Sequence, residues 1–444
     1  MVDYRPQWSA TRKRRGCDEA MAKLAINGGT PVRTKPWPKW PQHTKRQVEL
    51  ITEVVTADRW SFDGPKEWEF QEKFAQFKGC KYALCVANGT VSLQLCLEAL
   101  GIGAGDEVIV PGLTFQATAA ACLDVNAVPI IVDIDPETYC IDPKKVEEAI
   151  TPRTKAIMPV HLYCRMADMD AIMAIAKKHN LYVIEDNAHQ HGSLWGDKGA
   201  GTIGILGSHS CQETKVLPAG EGGIILTNEH DLFLKIYSLR NCGRLYRGSE
   251  GQHIQSGNFR ITEFQAATLL AQLETFEERC QMRHERSRYL DKRLAEVPGI
   301  KPMRWDDRVK RQDLYLYCFR YDKEHFKGAH RDAFNKALGA ELGLDLWLPY
   351  EPLNNCSIYQ PHTKKRYHIT EEHWQAIDPR RFSLPVAEKA SYEEAVTLFH
   401  WLLLEEEKGL DAIVEAAAKI QENAEELLRI PVQPRKTIAG VADA

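Results

Sequence analysis

From Tyr82 onward the apolar residues fall into two alternating patterns. Short runs that are apolar almost throughout, YALCV, DEVIV, PIIVDI, AIMPVHL, LYVIED, IGILG and GGIILT, are separated by stretches with helical spacing such as VSLQLCLEAL and MDAIMAIAKKH. A strand that is apolar on both faces belongs inside a sheet covered on both sides, and crossovers of helical length make its neighbours parallel. The pattern predicts an α/β fold: a mostly parallel seven-stranded sheet sandwiched by helices. Ligands of such sheets bind beyond the carboxyl ends of the strands, so the chemistry is sought there.

The flanks read differently. Met1 to about Met21 is polar, contains Arg12-Lys13-Arg14-Arg15 and shows no apolar period, as in a solvated leader. The next segment, LAINGGTPVRTKPWPKWPQ, is dense in Gly, Pro and Trp. Its prolines forbid helix and its tryptophans need burial, which predicts an ordered, irregular arm of a kind that lies against a partner subunit. Helical spacing begins at Thr44, and a long helix follows Arg260 through about Leu294. Beyond Pro298, LYLYCFRYD alternates as a strand among mixed elements, which predicts a smaller α+β unit. The expected division is a tail and arm over 1–43, a large unit over 44–285 and a small C-terminal unit over 286–444, loosely held from about 431.

Composition narrows the function. A net charge of -4 and a pI near 6.4 argue against nucleic acid as a partner and leave small molecules as substrates. The 12 cysteines stand singly, with no CxxC pair, as in reduced cytoplasmic thiols and unlike a disulfide framework or a zinc site. No apolar run reaches the ~20 residues that cross a bilayer, and the first residues carry no signal-peptide core. A cytoplasmic protein with no membrane partner is expected.

The residues beyond the predicted strands carry the chemistry. GTIGILG, Gly201–Gly207, reads as a short buried strand, and Lys215 follows it between GSHSCQET and the Gly-rich exit Gly220-Glu221-Gly222-Gly223. A lysine partly desolvated at the end of a core strand favours its neutral amine, the form that condenses with an aldehyde. Pyridoxal 5'-phosphate is the aldehyde this placement favours; a buried structural lysine is the alternative. LYVIED ends in Asp186, an acid that needs a cation or strong donor when buried, such as a protonated pyridine nitrogen, unless it caps a helix. His189 and His191, two apart with no third ligand nearby, make a poor metal site. Asn88-Gly89-Thr90 opens a helix and offers N–H groups to a phosphate, with Thr90 as a plain N-cap in the competing reading. Ser210 lies on the approach to Lys215 and can donate to the same phosphate, and Phe115, in PGLTF, is either a stacking aromatic or core. Ser256-Gly257-Asn258-Phe259-Arg260 either reaches an anion or forms a turn.

Taken in order, NGT at 88–90, PGLTF at 111–115, EDNAH at 185–189, SHSCQETK at 208–215, GEGG at 220–223 and GNFRITEFQAA at 257–267 resemble the DegT/DnrJ/StrS aminotransferases. The chain is most similar to their cyclitol branch, the L-glutamine:scyllo-inosose aminotransferases, with the aminohydroxybenzoate synthases close by. The similarity runs from about Leu24 to Leu427. It implies a fold type I pyridoxal phosphate enzyme, a homodimer with composite active sites, that moves an amino group from glutamine or glutamate to a keto-cyclitol or keto-sugar. Carried over by position, Lys215 is the Schiff-base lysine, Asp186 the partner of the pyridine nitrogen, His189 the residue beside the cofactor ring and Phe115 the stacking aromatic. Gly89, Thr90 and Ser210 form the phosphate cup, and Asn258 reaches the partner subunit's phosphate. His209, Glu213-Thr214, Asn187 and Cys164 depart from the usual pattern, in positions expected around the acceptor pocket and the lysine. Relatives that deoxygenate sugars carry histidine in place of the lysine, so Lys215 counts against that chemistry. A nucleotide-sugar aminotransferase of the same family and a cofactor-binding regulatory protein are the other readings.

Overall fold

The computed structural model describes residues 23–432. The basic leader and the end of the tail lie outside them. Seven strands form the large sheet: β1 (Tyr82–Val86), β2 (Glu107–Pro111), β3 (Val128–Val132), β4 (Thr154–Ile157), β5 (Tyr182–Asp186), β6 (Leu206–Ser210) and β7 (Gly223–Thr227). Their order is β1-β7-β6-β5-β4-β2-β3, and β7 runs against both its neighbours while the other pairs are parallel. Six strands therefore end at one edge, and the turn into β7 begins there. Strands such as β2 and β3 are buried at every position, as their unbroken apolar runs require.

The strand ahead of Lys215 is displaced from the expected one. The run Gly201–Gly207 has the pattern of a strand, yet β6 starts at Leu206 and continues through the serine-rich SHS. The cause is Glu185: its buried carboxylate accepts the backbone N–H groups of Gly201 (2.8 Å), Ile203 (2.7 Å) and Gly204 (2.7 Å), which pulls them out of any ladder. The long helix expected through Leu294 is also two helices, Glu263–Leu273 and Phe276–Leu294, because Thr275 leaves helical geometry at ψ 9°.

A second, antiparallel sheet is built from β8 (Ile300–Pro302), β9 (Leu316–Tyr321) and β10 (Ala395–Phe399), in that order. Between the sheets, Val309–Arg311 pairs with Leu194–Trp195 in the segment after β5. That pairing lays residues 312–315 beside the end of β5, and Tyr315 N–H donates to the His189 carbonyl at 3.1 Å. The arm is ordered and irregular as predicted, but its described part packs on its own chain. Trp37 is buried and donates from Nε1 to the Leu342 carbonyl at 2.8 Å; Arg33 lies 3.8 Å over its ring and pairs with Glu405. The arm also reaches the Lys215 loop, where Trp40 Nε1 donates to the Glu213 carbonyl at 3.2 Å. Among the described residues no helix is long and apolar enough to cross a membrane.

Candidate active site

A cavity of about 610 Å³ opens beyond the carboxyl ends of the strands, and Gly89, Thr90, Phe115, Asp186, His189, Ser210 and Lys215 all line it. Its floor begins where β1 feeds the helix Gly89–Ala99. The cap is Asn88, whose Oδ1 accepts the Val91 N–H at 2.9 Å, and not Thr90 as the competing reading had it. The Thr90 hydroxyl is thereby left to the cavity. The first N–H groups of a helix have no intrahelical partner and carry the positive end of its dipole. Gly89 is required by close approach: a Cβ there would lie 2.7 Å from the Cβ of Ser210.

At the end of β5, Asp186 Oδ2 accepts from Thr118 Oγ1 at 2.9 Å and Oδ1 from the Ala188 N–H at 3.2 Å. No helix follows, so the capping reading does not apply. Burial raises its carboxyl, against the pull of these donors and of Lys215. His189 Nδ1 accepts the Tyr163 N–H at 3.1 Å, which places the ring proton on Nε2, 3.2 Å from the Tyr350 hydroxyl. Burial, then the charge of Lys215, holds this imidazole neutral. His191 turns elsewhere, its Nε2 donating to the Ser210 carbonyl at 2.7 Å.

Lys215 follows β6 on a tight loop in which its N–H donates to the Gln212 carbonyl at 2.8 Å. It is 9% exposed, and burial lowers its ammonium to about 7, with Asp186 opposing. The neutral amine anticipated from its setting is thus available near neutral pH. His400 Nε2 donates to the Thr214 carbonyl at 3.1 Å, so the loop is held from outside by the second sheet as well as by Trp40. Phe115 is 44% exposed at the cavity, with its ring 5.9 Å from that of Tyr350. Tyr315, Trp347 and Tyr350 also line the cavity. They arrive from 100 or more positions downstream of Lys215, beyond the reach of any local pattern. The strand pattern of LYLYCFRYD was the one local signal near them. Asn258 is exposed and does not line this cavity; its Oδ1 accepts the Arg260 N–H at 3.4 Å.

The positions that depart from the family pattern are not gathered at the cavity as expected. Thr214 lines it, whereas Asn187, Cys164 and His209 are buried elsewhere. His209 faces away from the cavity, edge-on to Phe74 at 5.5 Å and 5.2 Å from His191. Neither of its ring nitrogens makes a hydrogen bond of good geometry among the described residues, and the Ile224 backbone offers at most a weak one. Burial holds His209 well below 6.5 and His191 at about 3. Both stay neutral in the folded chain while the unfolded chain takes up protons below pH 6.5, so their contribution to stability is intact above that pH and is lost as pH falls toward 3. His209→Phe is expected to stabilise the protein by ~1–2 kcal/mol, by removing two buried polar atoms that lack a well-formed hydrogen bond. It should also flatten the loss between pH 7 and 5, read by denaturant unfolding at each pH.

Residues 41–402 match the DegT/DnrJ/EryC1/StrS aminotransferase family. The chain is 39% identical over 420 residues to an L-glutamine:2-deoxy-scyllo-inosose aminotransferase of Streptoalloteichus tenebrarius, covering 91% of this chain and 99% of that protein. It is 41% identical over 414 residues to a putative L-glutamine:3-amino-2,3-dideoxy-scyllo-inosose aminotransferase of the same organism, with coverage of 91% and 99%. A solved structure of 3-amino-5-hydroxybenzoic acid synthase superposes with a TM-score of 0.76 at 31% identity, over 90% of this chain and all of that one. With the lysine, the acid and the glycine cradle gathered at one strand edge, these matches establish that the chain belongs to the DegT/DnrJ/EryC1/StrS family of pyridoxal phosphate-dependent aminotransferases.

Proposed function

We propose that this enzyme moves the amino group of L-glutamine to the ketone of a neutral cyclitol of the scyllo-inosose type, as a cytoplasmic homodimer. The cyclitol relatives support the pair of substrates. The observation that carries the choice of acceptor is the charge of the cavity. Lys215 is the sole Lys or Arg among its described lining residues, against Asp186, Glu221 and Asp124, the last of which is paired with Arg366. A nucleotide-linked sugar would bring a diphosphate to a lining whose one cation, Lys215, is needed at the reacting carbon, with Arg366 already engaged by Asp124. A ring with all hydroxyls equatorial instead shows two C–H faces, suited to Phe115, Trp347 and Tyr350. The exposed Asn258, outside its own cavity, supports sites shared between two subunits. The eleven free thiols among the described residues support a reducing compartment.

The residues fit pyridoxal phosphate. Gly89, Thr90 and Ser210 make a cradle that a side chain at 89 would fill, Asp186 lies at the end of β5 for the ring nitrogen, and Phe115 and His189 flank the space between. When bound, the cofactor supplies an aldehyde that condenses with amines and a ring that takes up the electron pair left when a substrate proton departs. Lys215 Nζ, whose ammonium burial lowers to about 7, takes the α-proton of the donor. In the second stage it delivers a proton to the carbon that was the acceptor's ketone. Asp186 is pushed toward its neutral form by burial; a cationic N–H opposite restores the carboxylate, and the carboxylate keeps that proton on the ring. The 44–285 unit carries the cofactor in this reading, and the 286–432 unit closes the acceptor side.

Gly89→Ala is expected to weaken cofactor binding ~10–100-fold, the loss of one or two charge-assisted hydrogen bonds, with little change in secondary structure. Spectrophotometric titration of cofactor-free protein checks it. The acceptor is tested by following ¹⁵N from α-labelled L-glutamine into a panel of ketones by mass spectrometry. A keto-cyclitol should take the label fastest; preference for a nucleotide-linked ketosugar would overturn the proposal.

A further inference from the structure

Tyr315 lies in LYLYCFRYD, a run whose alternation marks a strand and no site. It immediately precedes β9, and two backbone bonds fix it: its N–H donates to the His189 carbonyl at 3.1 Å and its carbonyl accepts the His400 N–H at 3.3 Å. Its ring centroid is 4.5 Å from that of His189. The Lys215 Nζ lies 3.9 Å from the ring centroid, over the face. The hydroxyl is also committed. Thr214 Oγ1 donates its one proton to Gln212 Oε1 at 2.7 Å, an oxygen identified as such because it also accepts the Thr214 N–H at 2.8 Å. Between Tyr315 and Thr214, 2.8 Å apart, the phenol must therefore be the donor. With its proton spent on Thr214, the phenol has none to offer Lys215.

We infer that Tyr315 is a positioning residue whose electron-rich face is the resting place of the Lys215 ammonium while the lysine is detached from the cofactor, holding the proton-bearing amine beside the reacting atoms. The inference rests on the role proposed for Lys215 above. It matters because burial alone would drive the ammonium down further, leaving no proton to return. A ring face within about 6 Å of a desolvated cation is worth ~0.5–2 kcal/mol. The other titratable groups about Lys215 are Asp186, which favours its charge, and His189, His191 and His400, which burial keeps neutral. None of the three histidines offsets the burial, so the aromatic face and Asp186 carry that task.

The test uses cofactor-free full-length protein, in which trace acetylation of Lys215 with acetic anhydride is followed by peptide mass spectrometry from pH 5 to 9.5 and normalised to the high-pH plateau. The wild-type midpoint is expected near 7. Tyr315→Phe keeps the ring and should stay within a factor of two of wild type at every pH. Tyr315→Leu removes it, and normalised labelling at pH 6 should rise roughly 5-fold as the midpoint falls by about one unit. Because Leu risks disturbing the fold, 3,4,5-trifluorophenylalanine at 315 provides a second variant of the same shape with its electron-rich face cancelled, and it should track Leu. A fluorinated ring that behaves like Phe, or a Leu profile that overlays wild type, would overturn the inference. The labelling needs no substrate, so it decides this point even if the acceptor panel shows that the cyclitol reading is wrong.

Discussion

Lys215→Ala is expected to lower full turnover by ~10⁴-fold or more, the size of a lost proton-transfer group combined with a lost covalent attachment. The fold should survive, since among the described residues the side chain makes no hydrogen bond and it lies at the cavity, over the Tyr315 ring. Two further variants separate its functions. Lys215→Arg keeps a positive charge but cannot give up its proton near neutral pH, so it should be as inactive as Ala. Small primary amines added to Lys215→Ala should restore part of the proton transfer and none of the attachment. In the wild type, activity should fall as pH drops below about 7, because the buried Nζ is then increasingly protonated and cannot take the donor's α-proton. A profile flat through pH 6 would contradict that assignment.

Asp186→Asn carries the second largest expected effect, a fall in kcat of ~10²–10⁴-fold, in the range for a group that stabilises charge in the transition state. An amide of the same shape keeps the oxygen that accepts from Thr118 or Ala188, so the structure around β5 should hold. What it loses is the negative charge that keeps a proton on the cofactor's ring nitrogen. The cofactor should still bind, within about 10-fold in affinity, since the phosphate is held at the far end by Gly89, Thr90 and Ser210 in the proposed arrangement. Stopped-flow absorbance should then show substrate binding intact and the proton-transfer step slowed. Unchanged kcat in this variant would remove Asp186 from the mechanism.

Much of this site was legible because its parts are local. Asp186 ends a strand, Lys215 follows one, and Gly89 opens a helix directly after one, so period and position sufficed to place all three at one edge of the sheet. What stayed hidden depended on partners distant in sequence. The strand before Lys215 starts late because Glu185 captures three N–H groups of the segment expected to form it. Tyr315 reaches the cavity just past the short pairing of Val309–Arg311 with Leu194–Trp195, while Tyr350 is held there by its N–H to the Tyr163 hydroxyl at 2.9 Å and Trp347 by its carbonyl, which accepts from Thr397 Oγ1 at 3.3 Å. His209 is different, since its orientation could be read: it sits between Ser208 and Ser210 on one strand, and period-two alternation turns it to the opposite face from Ser210. The same alternation keeps it out of the acceptor pocket. The arm shows the converse, since its Trp37 is buried as composition demands, but in a surface of its own chain that composition cannot identify.

Covalent capture at a single lysine tests the whole reading most directly. Protein saturated with pyridoxal 5'-phosphate, reduced with borohydride and digested, should carry the cofactor's mass on the peptide containing Lys215 and on no other, with the label absent from Lys215→Ala. A label on Lys78, another buried lysine whose ammonium is pushed down to about 8, or no label at all, would contradict it.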